Sequence, residues 1–401
     1  MHRREFLSLS SHIATIGAAP YIVPSHAWGA NDRPSYGVIG TGGRGRYVGG
    51  LFQRNGAECV AICDVYEPNL ELARQVAPNA KTYLDYEELL AHKGLDCVLI
   101  ATPEHQHCPM LLAALKAGKD VYLEKPISHS LEESRRMVAA VRKTKSIVQV
   151  GMQRRNEKSY ADIKKFVEDG ALGRISLVKL EWNRVSLGPP DNSPLPGKLD
   201  WKRFLGPARP RPMEPMRFRR WRYFWDYSGG PMTDMGAHMV DIVQWICHSG
   251  PPQSAVCYGR VAMMKGAETP DIFSSVFEYP NFILTWTLNY CNSYRGDQPL
   301  MEFQGDKGTL VVSDRKQQMY REPWMAKENR EPIYSAPHAD GNVNAHVVNF
   351  LDCVRSRREP ACPIEVGADG VAGTHLANIA FHKGTRATMP GRVTDARSTR
   401  S

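Results

Sequence analysis

Cysteine is scarce in this chain. There are nine in 401 residues and no Cys-x-x-Cys, which excludes a disulfide-stapled domain and a zinc ribbon. Cys59, Cys63 and Cys97 sit inside apolar runs, where a thiol packs as a small hydrophobe. Low-complexity tracts, heptad arrays and solenoid repeats are also missing, so fibrous and disordered classes are excluded. What remains is an ordinary globular composition, 42% hydrophobic with 51 Lys+Arg against 42 Asp+Glu. It is long enough for about two domains with cores of their own.

The chain opens Met1-His2-Arg3-Arg4-Glu5-Phe6-Leu7, followed by a weakly apolar stretch to about Val23 and small residues around Ala27 and Gly29. Residues 1–30 therefore read as a twin-arginine export signal, and the folded protein is expected in the periplasm or otherwise exported. Ser8, Ser10, Ser11 and His12 interrupt the stretch, which falls short of the roughly 20 apolar residues of a membrane span. No membrane span is expected. Signals of this kind resemble those that carry proteins already folded around a cofactor.

Tyr36-Gly37-Val38-Ile39 runs straight into Gly40-x-Gly42-x-x-Gly45. Gly40 permits the tight turn, Gly42 lets the backbone approach a pyrophosphate, and Gly45 lets the following helix pack on its strand. The phosphate charge then lies at a helix N-terminus, with Gly43 and Arg44 beside it. The next strand, Cys59 to Cys63, ends at Asp64, 24 residues after Gly40. A carboxylate there accepts hydrogen bonds from a ribose 2′-OH and repels a 2′-phosphate, which favours NAD over NADP.

Helical runs near 68–76, 86–92 and 109–117 alternate with strands at 96–101 and 121–123, which predicts a doubly wound parallel sheet over 31–152. Ligands in such sheets lie beyond the carboxyl ends of the strands, so Thr102, Pro103, His107, Glu124 and Lys125 are placed at the cofactor edge. A helix at 160–168 then leads into strands near 175–185, 254–263, 273–279, 282–290, 301–304 and 309–312, and helices follow at 345–355 and 368–381. This predicts a second α/β domain over 153–385, with an open, mostly antiparallel sheet, and a C-terminal tail at 386–401.

Gly40-x-Gly42-x-x-Gly45, Ala101-Thr102-Pro103-x-x-x-His107 and Ala117-Gly118-Lys119-Asp120-Val121-Tyr122-Leu123-Glu124-Lys125-Pro126 together resemble the glucose-fructose oxidoreductase, inositol dehydrogenase and rhizopine-catabolism (Gfo/Idh/MocA) family. Gly151-Met152-Gln153-Arg154-Arg155 and the segment Gly229 to His238 extend the resemblance over most of residues 36–313. It implies an NAD-binding Rossmann domain, a second domain whose sheet supports homo-oligomers, and a catalytic group at Lys125, Asp234 and His238. By the same resemblance His107 lies near the cofactor. Gln153, Arg155, Tyr227 and Asp241 are read as substrate-side residues.

The residues themselves carry part of this. Pro231 suits the first turn of a helix running to about Cys247, after the Gly229-Gly230 break. Along it Met235, Met239, Ile242 and Ile246 form one stripe, and Asp234, His238 and Asp241 lie at i, i+4 and i+7 on another face. Either carboxylate can hold the imidazole tautomer, and a neutral histidine can take a hydroxyl proton. His105 and His107 form a His-x-His, but with no third ligand at a fixed spacing no metal site is expected. In residues 201–227, eight Lys and Arg side chains interleave with eight aromatic ones, with Pro207, Pro210, Pro212 and Pro215 among them. No nucleic-acid fold signature accompanies the segment, so it reads either as an insertion roofing the substrate cleft or as a packed loop.

An exported enzyme has no obvious pool with which to exchange NAD, so the cofactor is expected to be tightly bound. The leading expectation is an oxidoreductase acting on a sugar or polyol, with NAD regenerated by a second carbonyl compound. The alternative is a redox-neutral NAD-dependent glycosidase or lyase working through transient C3 oxidation and elimination.

Overall fold

The computed structural model describes residues 33–185, 188–293 and 300–390. The expected export signal and residues 391–401 of the expected tail lie outside them.

Six parallel strands form the first sheet: β1 (Ser35–Ile39), β2 (Glu58–Cys63), β3 (Lys81–Tyr83), β4 (Cys97–Ile100), β5 (Asp120–Leu123) and β6 (Val148–Val150). Their order, β3-β2-β1-β4-β5-β6, is that of a doubly wound dinucleotide-binding sheet. β1, β4, β5 and β6 are buried throughout, which is why these segments read as unbroken apolar runs. The strand order reverses between β1 and β4, and at that point the ends of both strands open onto one cleft.

The second sheet has nine strands: β7 (Ile175–Asn183), β8 (Ser254–Arg260), β9 (Ile272–Glu278), β10 (Ile283–Asn289), β11 (Met301–Gly305), β12 (Gly308–Val312), β13 (Lys316–Arg321), β14 (Tyr334–Pro337) and β15 (Ala387–Thr388). The order is β14-β13-β12-β11-β7-β10-β9-β8-β15, antiparallel except where β7 runs parallel to β10. Phe273, Phe277, Leu284, Trp286 and Leu288 alternate inward and bury against the helices Gly230–Ile246 and Ile364–Lys383.

Two features depart from the expected boundaries. The helix Val343–Ser356 packs Val347, Phe350 and Leu351 against Tyr36 and Tyr122 of the first sheet and Phe52 of the helix Gly43–Arg54, so the chain crosses back over residue 153. The expected tail begins inside the second sheet, because Ala387 and Thr388 pair with Ala255 and Ser254.

Residues 196–227 build a small layer of their own over the first sheet. Asp200 N–H donates to Val65 O and Glu67 N–H to Lys198 O, which seats the layer on the loop after β2. Phe204, Leu205, Met216, Tyr223, Phe224, Tyr227 and Met264 bury together beneath it, with Trp201 stacked on Phe204 at 5.0 Å. Arg209, Arg211 and Arg217 pair with Asp226, Glu214 or Glu268. Most of the basic charge in the segment is thus balanced within the fold.

Candidate active site

The cleft begins at the glycine turn. Gly40 has φ +88°, and a Cβ on Gly45 would collide with the Gly40 carbonyl oxygen, so both must be glycine for the helix Gly43–Arg54 to leave β1 at this angle. Nothing lies within 4 Å of where a Cβ on Gly43 would sit, and no side chain caps the helix. Its first amides therefore face a cavity of about 720 Å³.

Gly40, Gly42, Gly43, Arg44, Asp64, Thr102 and Pro103 line this cavity. An open backbone cradle at a helix N-terminus suits a dinucleotide pyrophosphate, and these residues fit NAD. Asp64 also braces the turn: it accepts from Thr41 N–H at 2.8 Å, Tyr66 N–H at 2.9 Å and Asn69 Nδ2 at 3.2 Å. Thr41 Oγ1 also donates to it at 3.2 Å, and Asp64 lines the cavity. Across the opening stand Arg203, Phe204, Phe218, Arg219, Trp221 and Arg222 from the 196–227 layer. That layer roofs the dinucleotide cleft, and not the substrate side alone as expected.

At the far end of β5 lies the polar cluster. Lys125 Nζ donates to the Asp234 Oδ1 and backbone oxygen, each at 2.8 Å. Arg222 Nε donates to the same Oδ1 at 3.1 Å. Burial pushes the Asp234 carboxyl up, but the two cations outweigh it and hold it well below the usual carboxylate range. One helical turn on is His238, whose Nδ1 is buried with no hydrogen-bond partner among the described residues. Burial, then the charges of Lys125, Arg154 and Arg44, drive its pKa well below 6.5. Near neutral pH the imidazole is therefore held in its neutral form.

Lys125 and His238 do not themselves line the 720 Å³ cavity. The link is Arg222, which borders the cavity and pairs with Asp234. A smaller cavity of about 200 Å³ lies against the same wall, lined by Arg219, Arg220, Trp221, Arg222, Tyr223, Asp234 and Tyr290.

Several sequence expectations need correcting. Neither carboxylate holds the His238 ring: Asp234 is taken by Lys125 and Arg222, and Asp241 by a two-pronged pair with Arg155 at 2.7 to 3.1 Å. Arg155 and Asp241 thereby fix each other as a buried pair. Tyr227 is fully buried in the core of the 196–227 layer and lines neither cavity. Both ring nitrogens of His107 lie against backbone carbonyls, Pro126 O at 2.7 Å and Thr102 O at 2.9 Å, and the single N–H of the neutral ring donates to one of them, which sets the ring between the two cofactor-edge turns. His105 likewise bonds Phe204 O at 2.9 Å. Glu124 accepts from Arg44 Nε at 2.7 Å, bridging the glycine turn to the lysine turn. Gln153 keeps a buried Oε1 with no partner among the described residues.

Glu104 escaped the sequence reading. Its fully buried carboxyl group accepts from Gly229 N–H at 3.0 Å and Thr233 Oγ1 at 3.1 Å, and bonds Ser228 Oγ. It thereby clamps the start of the helix that carries Asp234 and His238. Burial pushes its pKa up to about 7. A carboxyl raised above its unfolded value contributes stability that is complete below the unfolded pKa and is lost as pH rises through the folded one. Chemical denaturation should therefore show stability falling by about 3 kcal/mol from pH 4.5 to 7.5 through this group. Glu104→Gln keeps most of the contacts without the ionisation and should flatten that fall.

The parallel sheet, the glycine cradle and the neutral imidazole held near a buried lysine define a two-domain, dinucleotide-linked oxidoreductase. Residues 35–152 match the model described as "Oxidoreductase family, NAD-binding Rossmann fold". Residues 164–389 match "Oxidoreductase family, C-terminal alpha/beta domain". The chain belongs to the Gfo/Idh/MocA oxidoreductase family. Inositol 2-dehydrogenase of Corynebacterium glutamicum (strain R) is 34% identical over 280 residues, covering 69% of this chain and 72% of that one. Inositol 2-dehydrogenase of Salmonella typhimurium is 32% identical over 142 residues, 35% of this chain and 42% of that protein. Among solved structures, levoglucosan dehydrogenase in complex with NADH and levoglucosan superposes with a TM-score of 0.72 at 18% identity, covering 89% of this chain and all of that one.

Proposed function

We propose that the protein is an NAD-dependent oxidoreductase acting on a sugar or polyol hydroxyl. The observation that carries this reading is the 2.8 Å contact of Lys125 with Asp234, which brings the turn after β5 and the helix Gly230–Ile246 to one place next to the cofactor cleft. The names of the relatives, inositol 2-dehydrogenase and levoglucosan dehydrogenase, support the substrate class.

Gly40, Gly42 and Gly43 would hold the pyrophosphate, and Asp64 the adenosine ribose. NAD, when bound, supplies a hydride acceptor at the nicotinamide ring. An ammonium has three donors, and Asp234 takes two from Lys125. The third donates to the reacting oxygen and stabilises its developing negative charge. Asp234 orients that ammonium. His238 accepts the hydroxyl proton as the carbonyl forms. The smaller polar cavity beside Asp234 holds the rest of the substrate.

The Arg3-Arg4 opening supports export of the folded protein with NAD tightly held. On the exposed face of the second sheet Tyr258, Val276 and Ile283 stand 76%, 39% and 39% accessible, which supports self-association there. Two measurements test the reading. Purified protein passed through desalting should release NAD on denaturation. With inositols, hexoses and anhydrosugars, absorbance at 340 nm should rise. Protein that neither retains nor responds to dinucleotide would refute it, and product formed from an aryl glycoside without NADH would move the activity to the redox-neutral class.

A further inference from the structure

The smaller cavity carries more positive charge than the fold neutralises. Among the residues at or beside it, Lys125, Arg219, Arg220 and Arg222 are cationic. Asp234 answers Lys125 and Arg222. Asp191 answers Arg219 at 3.4 Å, and that guanidinium also donates to the Ser193 and Pro194 carbonyls. Arg220 shares the field of the same Asp191, which pairs with Arg219, and has no carboxylate of its own within ion-pair distance among the described residues; its Nε is buried without a hydrogen-bond partner among them. Asp234 is the one carboxylate among the cavity's described lining residues.

The neighbouring arginines of the same layer, Arg209, Arg211 and Arg217, each have an acid, which shows how the segment neutralises a guanidinium when only structure is at stake. Gly188 lies against Arg220, and a Cβ there would run into the guanidinium, so the side chain is seated at the cavity wall. Arg220 lines the smaller cavity but not the dinucleotide cleft, so its charge is not directed at the cofactor's phosphates. A cavity of about 200 Å³ suits one sugar ring. Trp221, Tyr223 and Tyr290 supply ring faces and phenols for such a guest.

We infer that the substrate is an anionic monosaccharide, with its carboxylate or phosphate paired to Arg220 while the reacting hydroxyl meets Lys125. The inference rests on the dehydrogenase reading for the position of the reacting end, and on the charge surplus for the rest. A planar guanidinium takes a carboxylate or phosphate through two parallel hydrogen bonds, which fixes the ring's orientation as well as its affinity.

The test is equilibrium binding of D-glucuronate, glucose 6-phosphate and D-glucose to the full chain supplied with NAD, at low salt, by calorimetry. At least one anionic sugar should bind about tenfold or more tightly than glucose. Whichever binds tighter, the glucuronate or the phosphate, identifies the anion. Arg220→Gln should erase the preference, and Arg220→Lys should restore part of it. Equal affinities in the unchanged protein, binding by none of the three, or a preference that survives Arg220→Gln would overturn the inference. Absorbance at 340 nm separates the two readings. Neutral sugars oxidised with no anionic preference sink only the charge assignment. An Arg220-dependent sugar acid that yields no NADH sinks the dehydrogenase.

Discussion

Replacing Lys125 with Met is expected to lower kcat by a hundredfold to a thousandfold, the usual cost of losing one preorganised donor at a developing oxyanion. The effect should fall on kcat more than on dinucleotide retention, because Lys125 does not line the 720 Å³ cleft. The substitution has a second, separable consequence. Lys125 is the leading charge that, after burial, keeps the His238 pKa low. Without it the imidazole protonates more readily, so the acid limb of the residual activity should move to higher pH. Asp234 would retain Arg222, which at 3.1 Å keeps the carboxylate paired and the fold intact. Steady-state kinetics across pH, with NAD released from each preparation measured alongside, checks both consequences. Full activity in the variant, or loss of NAD in step with activity, would contradict the assigned role.

Replacing His238 with Ala should cost between about a hundredfold and ten-thousandfold in turnover, the range for removing a general base. In the unchanged protein the imidazole is neutral well below pH 6.5, since burial and three cations disfavour its charged form. A base that is already deprotonated gives no activity loss until pH falls below its lowered pKa. The profile of kcat/KM should therefore stay flat through pH 6.5, where an unperturbed histidine would be half protonated. His238→Ala should remove the acid limb belonging to this group. A limb centred at 6.5 that persists in the variant would assign the proton transfer elsewhere.

The parts legible in the sequence were those where backbone geometry dictates residue type or where one helix carries the pattern. Gly40 and Gly45 could be read because a Cβ at either position would run into backbone, that of Ala101 for Gly40 and that of Gly40 for Gly45. Asp234 and His238 could be placed together because helical spacing alone does so. Pairings between distant segments were not legible: Asp241 lies three residues from His238, yet its carboxylate goes to Arg155, 86 positions away. His107 and Glu104 show the same limit, since each is spent on carbonyls and amides that only the folded chain brings near.

The secondary structure that went unread has equally local causes. β13, Lys316-Gln317-Gln318-Met319-Tyr320-Arg321, has Met319 as its one aliphatic side chain and lies towards the sheet's edge, with only Gln317 and Met319 buried. β3 and β6 are three residues each, too short to show a period. The helix Leu131–Val141 did carry a signal: Ser130 Oγ accepts from Glu133 N–H, and Glu133 reaches back to His129 N–H, a capping arrangement written as Ser-x-x-Glu.

A crystal structure of the protein with NAD bound tests the central claim most directly. The pyrophosphate should lie over the Gly42 and Gly43 amides, the adenosine ribose beside Asp64, and the nicotinamide ring at the end of the cleft nearest Lys125 and His238. A dinucleotide that leaves the glycine turn bare, or a nicotinamide ring directed away from that lysine and imidazole, would contradict it.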